Sequence, residues 1–178
     1  MKSHTLLTSD EISLAINRIS LQVLEKHHGP ENLAIVGIHT CGVFLAQRIR
    51  QIIRDQTSQL IPYGSLDINL YRDDWSLITQ NPVVKTTDIS FGVEGMDIIL
   101  VDDVLFTGRT IRAALDALMD YGRPKSVQLA ILVDRGGREL PIQADYVGLH
   151  TTVRPDEKIK VVFEEIGGKD EVLLQNKN

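Results

Sequence analysis

Two adjacent carboxylates, Asp102 and Asp103, are followed after three residues by the run Thr107-Gly108-Arg109-Thr110. Carboxylates accept hydrogen bonds from sugar hydroxyls. A Thr-Gly turn that opens a helix offers unpaired N–H groups and about half a positive charge to an anion. Arg109 and Arg112 fall in the first turn of such a helix, where a cation opposes the macrodipole by about 0.3–1 kcal/mol. A bound dianion reverses that sign. Thr107 and Thr110 add hydroxyl donors, and Gly108 lets the backbone come close to a phosphate. The chemistry expected of Val101, Asp102, Asp103, Val104, Leu105, Phe106, Thr107, Gly108, Arg109 and Thr110 is therefore the grip on a phosphorylated ribose. A capping role explains either half of this series alone, but not the two halves in this order.

Such a turn needs a strand before it and a helix after it. Ile98 to Val101 reads as a buried strand, and ligands of open α/β sheets bind beyond the carboxyl ends of strands. Ile111, Ala114, Leu115, Leu118 and Met119 follow the helical template, with Gly122 and Pro124 as the stop. Upstream, Thr8 and Glu11 have capping-box spacing. Ile12, Ala15, Ile16, Ile19, Val23 and Leu24 then form the core stripe of a helix that ends near His28-Gly29-Pro30. Leu14 and Leu21 lie on its opposite face and suggest a subunit contact. Leu33 to Ile38 reads as a buried strand, turning through Thr40-Cys41-Gly42 into a helix with a stripe of Leu45, Ala46, Ile49, Ile52 and Ile53. Arg48, Arg50 and Arg54 are expected on its solvated side. Leu66 to Tyr71 alternates as a half-buried strand does. Val127 to Val133 is a further buried strand, and Tyr146-Val147-Gly148 and Lys160 to Phe163 read as short edge strands. Residues 72–90 form the longest irregular stretch. Strands alternating with helices imply parallel βαβ units, hence an α/β fold with a mainly parallel central sheet flanked by helices, as one domain over 1–178.

With 178 residues, 43% of them hydrophobic, the chain can bury one core. A net charge of −5 gives no global basic excess for nucleic acid, and the single Cys41 permits no internal disulfide. No apolar run spans a bilayer and the first residues lack the apolar stretch of a signal peptide, so a cytoplasmic protein without membrane contact is expected. Neither a Gly-x4-Gly-Lys-Ser/Thr element nor a Gly-x-Gly-x-x-Gly turn is present. His4, His27, His28, His39 and His150 show no zinc spacing with Cys41.

Val-Gly-Ile-x-Thr-x-Gly (36–42), Leu-Tyr-Arg-Asp-Asp (70–74), Val-Asp-Asp-Val-Leu-Phe-Thr-Gly-Arg-Thr (101–110), Gly-Arg-Pro (122–124), Leu-Val-Asp-Arg-Gly (132–136) and Arg-Glu-Leu-Pro-Ile (138–142) occur in that order. In these motifs the chain resembles the type I phosphoribosyltransferases, and among them the bifunctional pyrimidine-operon regulators that are also uracil phosphoribosyltransferases. The likeness runs from about residue 5 to 165. It implies a single-domain fold with a small hood, from about 1–10 and 134–165, and a mobile loop at about 72–90. It also implies conversion of uracil and phosphoribosyl diphosphate to UMP and diphosphate, with Mg2+ bound through the substrate and at most through water to Asp103. Asp102, Asp103 and Arg72 are then the catalytic candidates. His39, Thr40, Cys41 and Gly42 form the diphosphate loop, and Asp134 and Arg138 lie beside uracil. The same resemblance implies binding of pyrimidine-operon leader RNA under control of UMP or UTP, with Arg18, Arg135 and Arg138 as candidate contacts, and a homodimer or larger homo-oligomer.

The chain departs from the family pattern at Cys41, where an arginine is usual, and loses a bidentate partner for the leaving group. Leu21, Gly137, Gln143 and Leu149 are neutral where the family is basic or carries histidine. These departures leave two alternatives open beside the bifunctional one: an RNA-binding regulator with little catalysis, or a purine phosphoribosyltransferase using the same phosphate turn.

Overall fold

The computed structural model describes residues 3–71 and 86–176. Thr8 caps the first helix, α1 (Ser9–His27). Its side chain accepts the Glu11 N–H and its own N–H donates to the Glu11 carboxylate, a complete capping box. The strands β2 (Leu33–Ile38), β3 (Tyr63–Leu66), β4 (Asp97–Leu105), β5 (Ser126–Asp134) and β6 (Tyr146–His150) form one sheet in the order β3-β2-β4-β5-β6, every neighbouring pair parallel.

Alternate residues of these strands feed two cores. Leu33, Ile35, Ile99, Val101, Ala130 and Leu132 pack under α1 and a second helix, α2 (Cys41–Thr57). Ala34, Val36, Ile98, Leu100, Leu129 and Ile131 pack under a third, α3 (Arg109–Met119). With both faces covered, the middle strands must be apolar throughout, which is how β2 and β4 read in the sequence. A second sheet is antiparallel and three-stranded. It takes β1 (Ser3–Leu7) and β8 (Glu171–Asn176) from the two ends of the chain, and β7 (Glu157–Val162), in the order β1-β8-β7.

Several expectations change. The alternation at Leu66 to Tyr71 is not a strand. The ladder with β2 occupies Tyr63–Leu66, and Asn69–Tyr71 closes a 3-10 turn whose start is held by the Asp67 carboxylate, which accepts the Asn69 N–H. β4 does not end at Val101, because β5 offers partners out to the Val104–Val133 and Leu105–Asp134 pairs. Met119 is half exposed, and the buried face of α3 includes the small residues Ala113 and Ala117 instead. Of the three arginines expected in water on α2, only Arg54 is there. The Arg48 guanidinium lies over the Phe163 ring and pairs with Glu165 and Asp170, while Arg50 donates to the Ile61 carbonyl over the Tyr63 ring. Both are drawn inward by partners that the helix periodicity does not contain. Among the described residues no helix is long and apolar enough to cross a membrane.

Candidate functional site

Parallel pairing sets the carboxyl ends of β2, β4 and β5 side by side, so the turns that follow them share one edge of the sheet. After β2 the chain passes through His39 and Thr40, joined by a cis peptide, into α2. The His39 N–H is fixed by the Leu66 carbonyl of β3 at 3.0 Å. Gly42, in the first turn of α2, lies directly against β4. A Cβ there would stand 2.5 Å from the Val101 carbonyl oxygen and 3.0 Å from Asp102 Cα. No other residue permits that approach, and it brings the amino terminus of α2 onto the carboxylate pair.

Asp102 is 6% exposed, and its Oδ1 accepts the Asp103 N–H at 2.9 Å. Burial, and then the charge of neighbouring Asp103, push the Asp102 carboxyl well above the ordinary carboxylate range. Asp103 is half-buried, and its Oδ1 accepts the Val104 N–H at 2.9 Å. Leu105 ends β4, and the turn then rises through Phe106 and Thr107 to Gly108, whose φ of 93° favours glycine.

Helix α3 starts there with no side-chain cap, its first intrahelical bond running from the Arg112 N–H to the Gly108 carbonyl. Helix α2 likewise starts without a side-chain cap. Both helices thus begin beside Asp102 and Asp103 without an N-cap side chain, whereas α1 has its complete cap. Arg109 and Arg112 do stand at the start of α3, paired with Glu139 and Asp116 respectively. Two uncapped helices beside two carboxylates can hold two anionic groups and the hydroxyls between them.

The turn after β5 completes the edge. Asp134 Oδ1 accepts the Gly136 N–H, and Oδ2 accepts from Arg138 at 2.6 Å. Burial works against this carboxylate's charge, but Arg138, the Gly136 N–H and His150 more than offset it and hold the group below the usual range. An open cleft of about 510 Å³ lies here, lined by Asp134, Gly136, Arg138, His150, Thr151 and Thr152. The sequence pointed to only the first part of this lining. Thr151 and Thr152 follow β6, whose carboxyl end neighbours that of β5, and the edge rule for parallel sheets would have found them.

The expected RNA contacts separate. The exposed Arg18 side chain donates to the Val147 and Gly148 carbonyls of β6. Arg135 is only 7% exposed, with its guanidinium 4.1 Å from the centre of the Phe106 ring, so it does not belong to an outer surface. Arg138 is also turned inward, bonded to Ile142, Phe106, Gly136 and Asp134. Arg72 and the rest of 72–85 lie outside the described residues. Cys41 is half-buried, with its Sγ 4.0 Å from the Val161 carbonyl of β7. Among the described residues, no three side chains of His, Cys, Asp or Glu converge as a metal cage. The half-buried Asp103 carboxylate is an oxygen donor of the kind that a hydrated divalent ion accepts.

A family model for the phosphoribosyl transferase domain matches residues 3–166. A protein of Syntrophobacter fumaroxidans named "Bifunctional protein PyrR" is 49% identical over 173 residues, covering 97% of this chain and 93% of that protein. Proteins of the same name from Deinococcus radiodurans and Thermus aquaticus are each 50% identical, over 96% and 97% of this chain and 93% and 95% of theirs. Among solved structures, a hypoxanthine phosphoribosyl transferase of Trypanosoma cruzi superposes with a TM-score of 0.74 at 16% identity, covering 97% of this chain and 91% of that one. A hypoxanthine-guanine phosphoribosyltransferase of Bacillus anthracis gives 0.71 at 17%, covering 97% and 98%. At those identities the structural likeness speaks for the fold, and the near-full-length relatives narrow it further: this chain belongs to the phosphoribosyltransferase family, among the bifunctional PyrR proteins.

Proposed function

We propose that the chain transfers a phosphoribosyl group to uracil, forming UMP and diphosphate, and that it binds pyrimidine-operon leader RNA in a UMP- or UTP-responsive way to attenuate transcription. The observation that carries the catalytic half is the pair of helices that start without an N-cap side chain on either side of Asp102 and Asp103, with Gly42 pressing the start of α2 against Asp102. In this reading the turn from Val104 to Thr110 holds the 5′-phosphate, and the turn from His39 to Gly42 holds the diphosphate. Asp102 and Asp103 accept hydrogen bonds from the ribose hydroxyls, fixing the ring between the two anions. Uracil lies in the cleft beside Asp134 and Arg138, and the small sheet forms the hood of a single catalytic unit.

The base nitrogen forms the new bond to the anomeric carbon as the bond to diphosphate breaks, and the nitrogen's proton leaves. The protein orients both partners, holds the separating charges and keeps water from the sugar. Magnesium, when bound with the substrate, neutralises charge on the diphosphate, and Asp103 is the carboxylate placed to hold one of its waters. Arg72 is the proposed side-chain contact to the leaving group.

The regulatory half rests on the PyrR relatives, with the exposed Arg18 as the remaining candidate contact. The test has two arms. Uracil, phosphoribosyl diphosphate and Mg2+ yield UMP with the native chain, and Asp103→Asn lowers turnover by about 10²-fold or more. A pyrimidine leader transcript binds more tightly with UMP than without, and more weakly as salt rises. A chain that turns over no base, or one that prefers a purine in competition, overturns the first arm. Equal RNA affinity with and without UMP overturns the second.

A further inference from the structure

We infer that Arg138 is a positioning residue for the phosphate-binding turn: by holding the Phe106 carbonyl, its guanidinium aims the Thr107 N–H at the 5′-phosphate. This inference rests on the reading of Val104 to Thr110 as the phosphate site. It follows from peptide geometry. In a planar trans peptide the C=O and the next N–H point in opposite directions. The Phe106 carbonyl accepts from Arg138 Nη1 at 2.9 Å. The Thr107 carbonyl accepts the Glu139 and Leu140 N–H groups at 3.0 and 3.1 Å. Both carbonyls are thereby pinned toward the 138–140 segment, and the Thr107 and Gly108 N–H groups must face the other way, away from that segment. The only cis peptide among the described residues is His39–Thr40, so the geometry holds for both peptide units.

The guanidinium is suited to this work and poorly suited to reading a base. Its Nε donates to the Ile142 carbonyl at 2.8 Å, Nη1 also reaches the Gly136 carbonyl at 3.4 Å, and Nη2 donates to Asp134 at 2.6 Å. Four of five donors are thus engaged within the turn, in a fork that a lysine ammonium cannot reproduce. The Phe106 side chain is held from the other side. The Arg135 guanidinium lies over its ring, and Gly137 makes room for it, since a Cβ there would stand 2.6 Å from Phe106 Cε2. Backbone and ring of one residue are therefore fixed by three positions of the β5 turn, Arg135, Gly137 and Arg138.

The test compares native protein, Arg138→Lys, Arg138→Ala and Gly137→Ala for binding of ribose 5-phosphate and phosphoribosyl diphosphate by calorimetry, and for the uracil KM. All three substitutions weaken both phosphorylated sugars about tenfold, the scale of one lost hydrogen bond to a charged group, whatever they do to the uracil KM. Millimolar guanidinium restores phosphate binding to Arg138→Ala and does nothing for Arg138→Lys. Gly137→Ala removes no donor, so its loss of affinity reports displacement of the Phe106 turn, and it keeps the test decisive if Arg138→Ala does not fold. Unchanged sugar-phosphate affinity with a raised uracil KM overturns the inference and makes Arg138 a base contact. Native protein that binds neither sugar phosphate overturns the phosphate-site reading itself, and the inference with it.

Discussion

Asp102 is at odds with its surroundings. It is buried beside a second carboxylate at the end of β4, and its proton affinity is raised by both circumstances. A carboxyl whose native pKa exceeds its unfolded value of about 3.9 lowers stability at every pH above that value, and has no effect where both states are protonated. Asp102→Asn should therefore melt higher than the native chain at pH 8, with the gap closing as pH falls toward 4. The same variant should lose turnover. A melting difference that stays constant across that range, or native protein that melts higher at pH 8, would show that the carboxylate is not strained. Single residues were legible in the sequence to the extent that backbone position decides their role. Asp102, Asp103, Gly42 and Gly108 stand where the motif put them. Arg135 does not face outward as an RNA contact would, because Phe106, supplied by the fold, turns it inward, whereas Arg138 keeps its place beside Asp134 but spends its donors within the turn.

Helices α1, α2 and α3 and strands β2, β4 and β5 could be read from periodicity because each meets the core along one stripe or along its whole length. Of the small sheet only part of β7 could, as the run Lys160 to Phe163. β1 and β8 are short, mostly polar on one face, and pair only with each other and with β7 across the whole chain, so no local pattern marks them. Its attachment was equally hidden. Arg48 of α2 reaches the segment between β7 and β8, where Asp170 and Glu165 take its donors and Phe163 lies beneath it. The hydrogen bond from Arg48 holds Asp170 and Glu165 below the ordinary carboxylate range. The stabilisation from this cluster is thus complete above that range and is lost as pH falls through the lowered native values. Arg48→Met keeps much of the stacking volume but leaves Asp170 buried without its cation. With the Arg48 side chain 19% exposed, we expect about 3 kcal/mol of lost stability in urea unfolding at pH 7, the low end for breaking a buried pair. The loss should shrink toward pH 3. A change under about 0.5 kcal/mol, the range of ordinary surface substitutions, would mean the cluster does not hold the sheet.

At the scale of the molecule, α1 presents Leu14 at 68% and Leu21 at 46% exposure on one outer face. Single exposed leucines are ordinary, but two a heptad apart on one helix suit a subunit contact. We expect the native chain to sediment as a dimer or larger assembly, and Leu14→Lys with Leu21→Lys to shift it toward the monomer. An unchanged sedimentation coefficient would move the contact elsewhere. The small sheet has a consequence of another kind. β1 is made before every strand of the parallel sheet, yet its partner β8 is made after all of them. During synthesis the parallel sheet can close as soon as β6 is available, while β1 must wait, unpaired, until β8 has been made. Nascent chains stalled before residue 171 should therefore hold a formed parallel sheet and a loose β1, so that the small sheet is born after the large one.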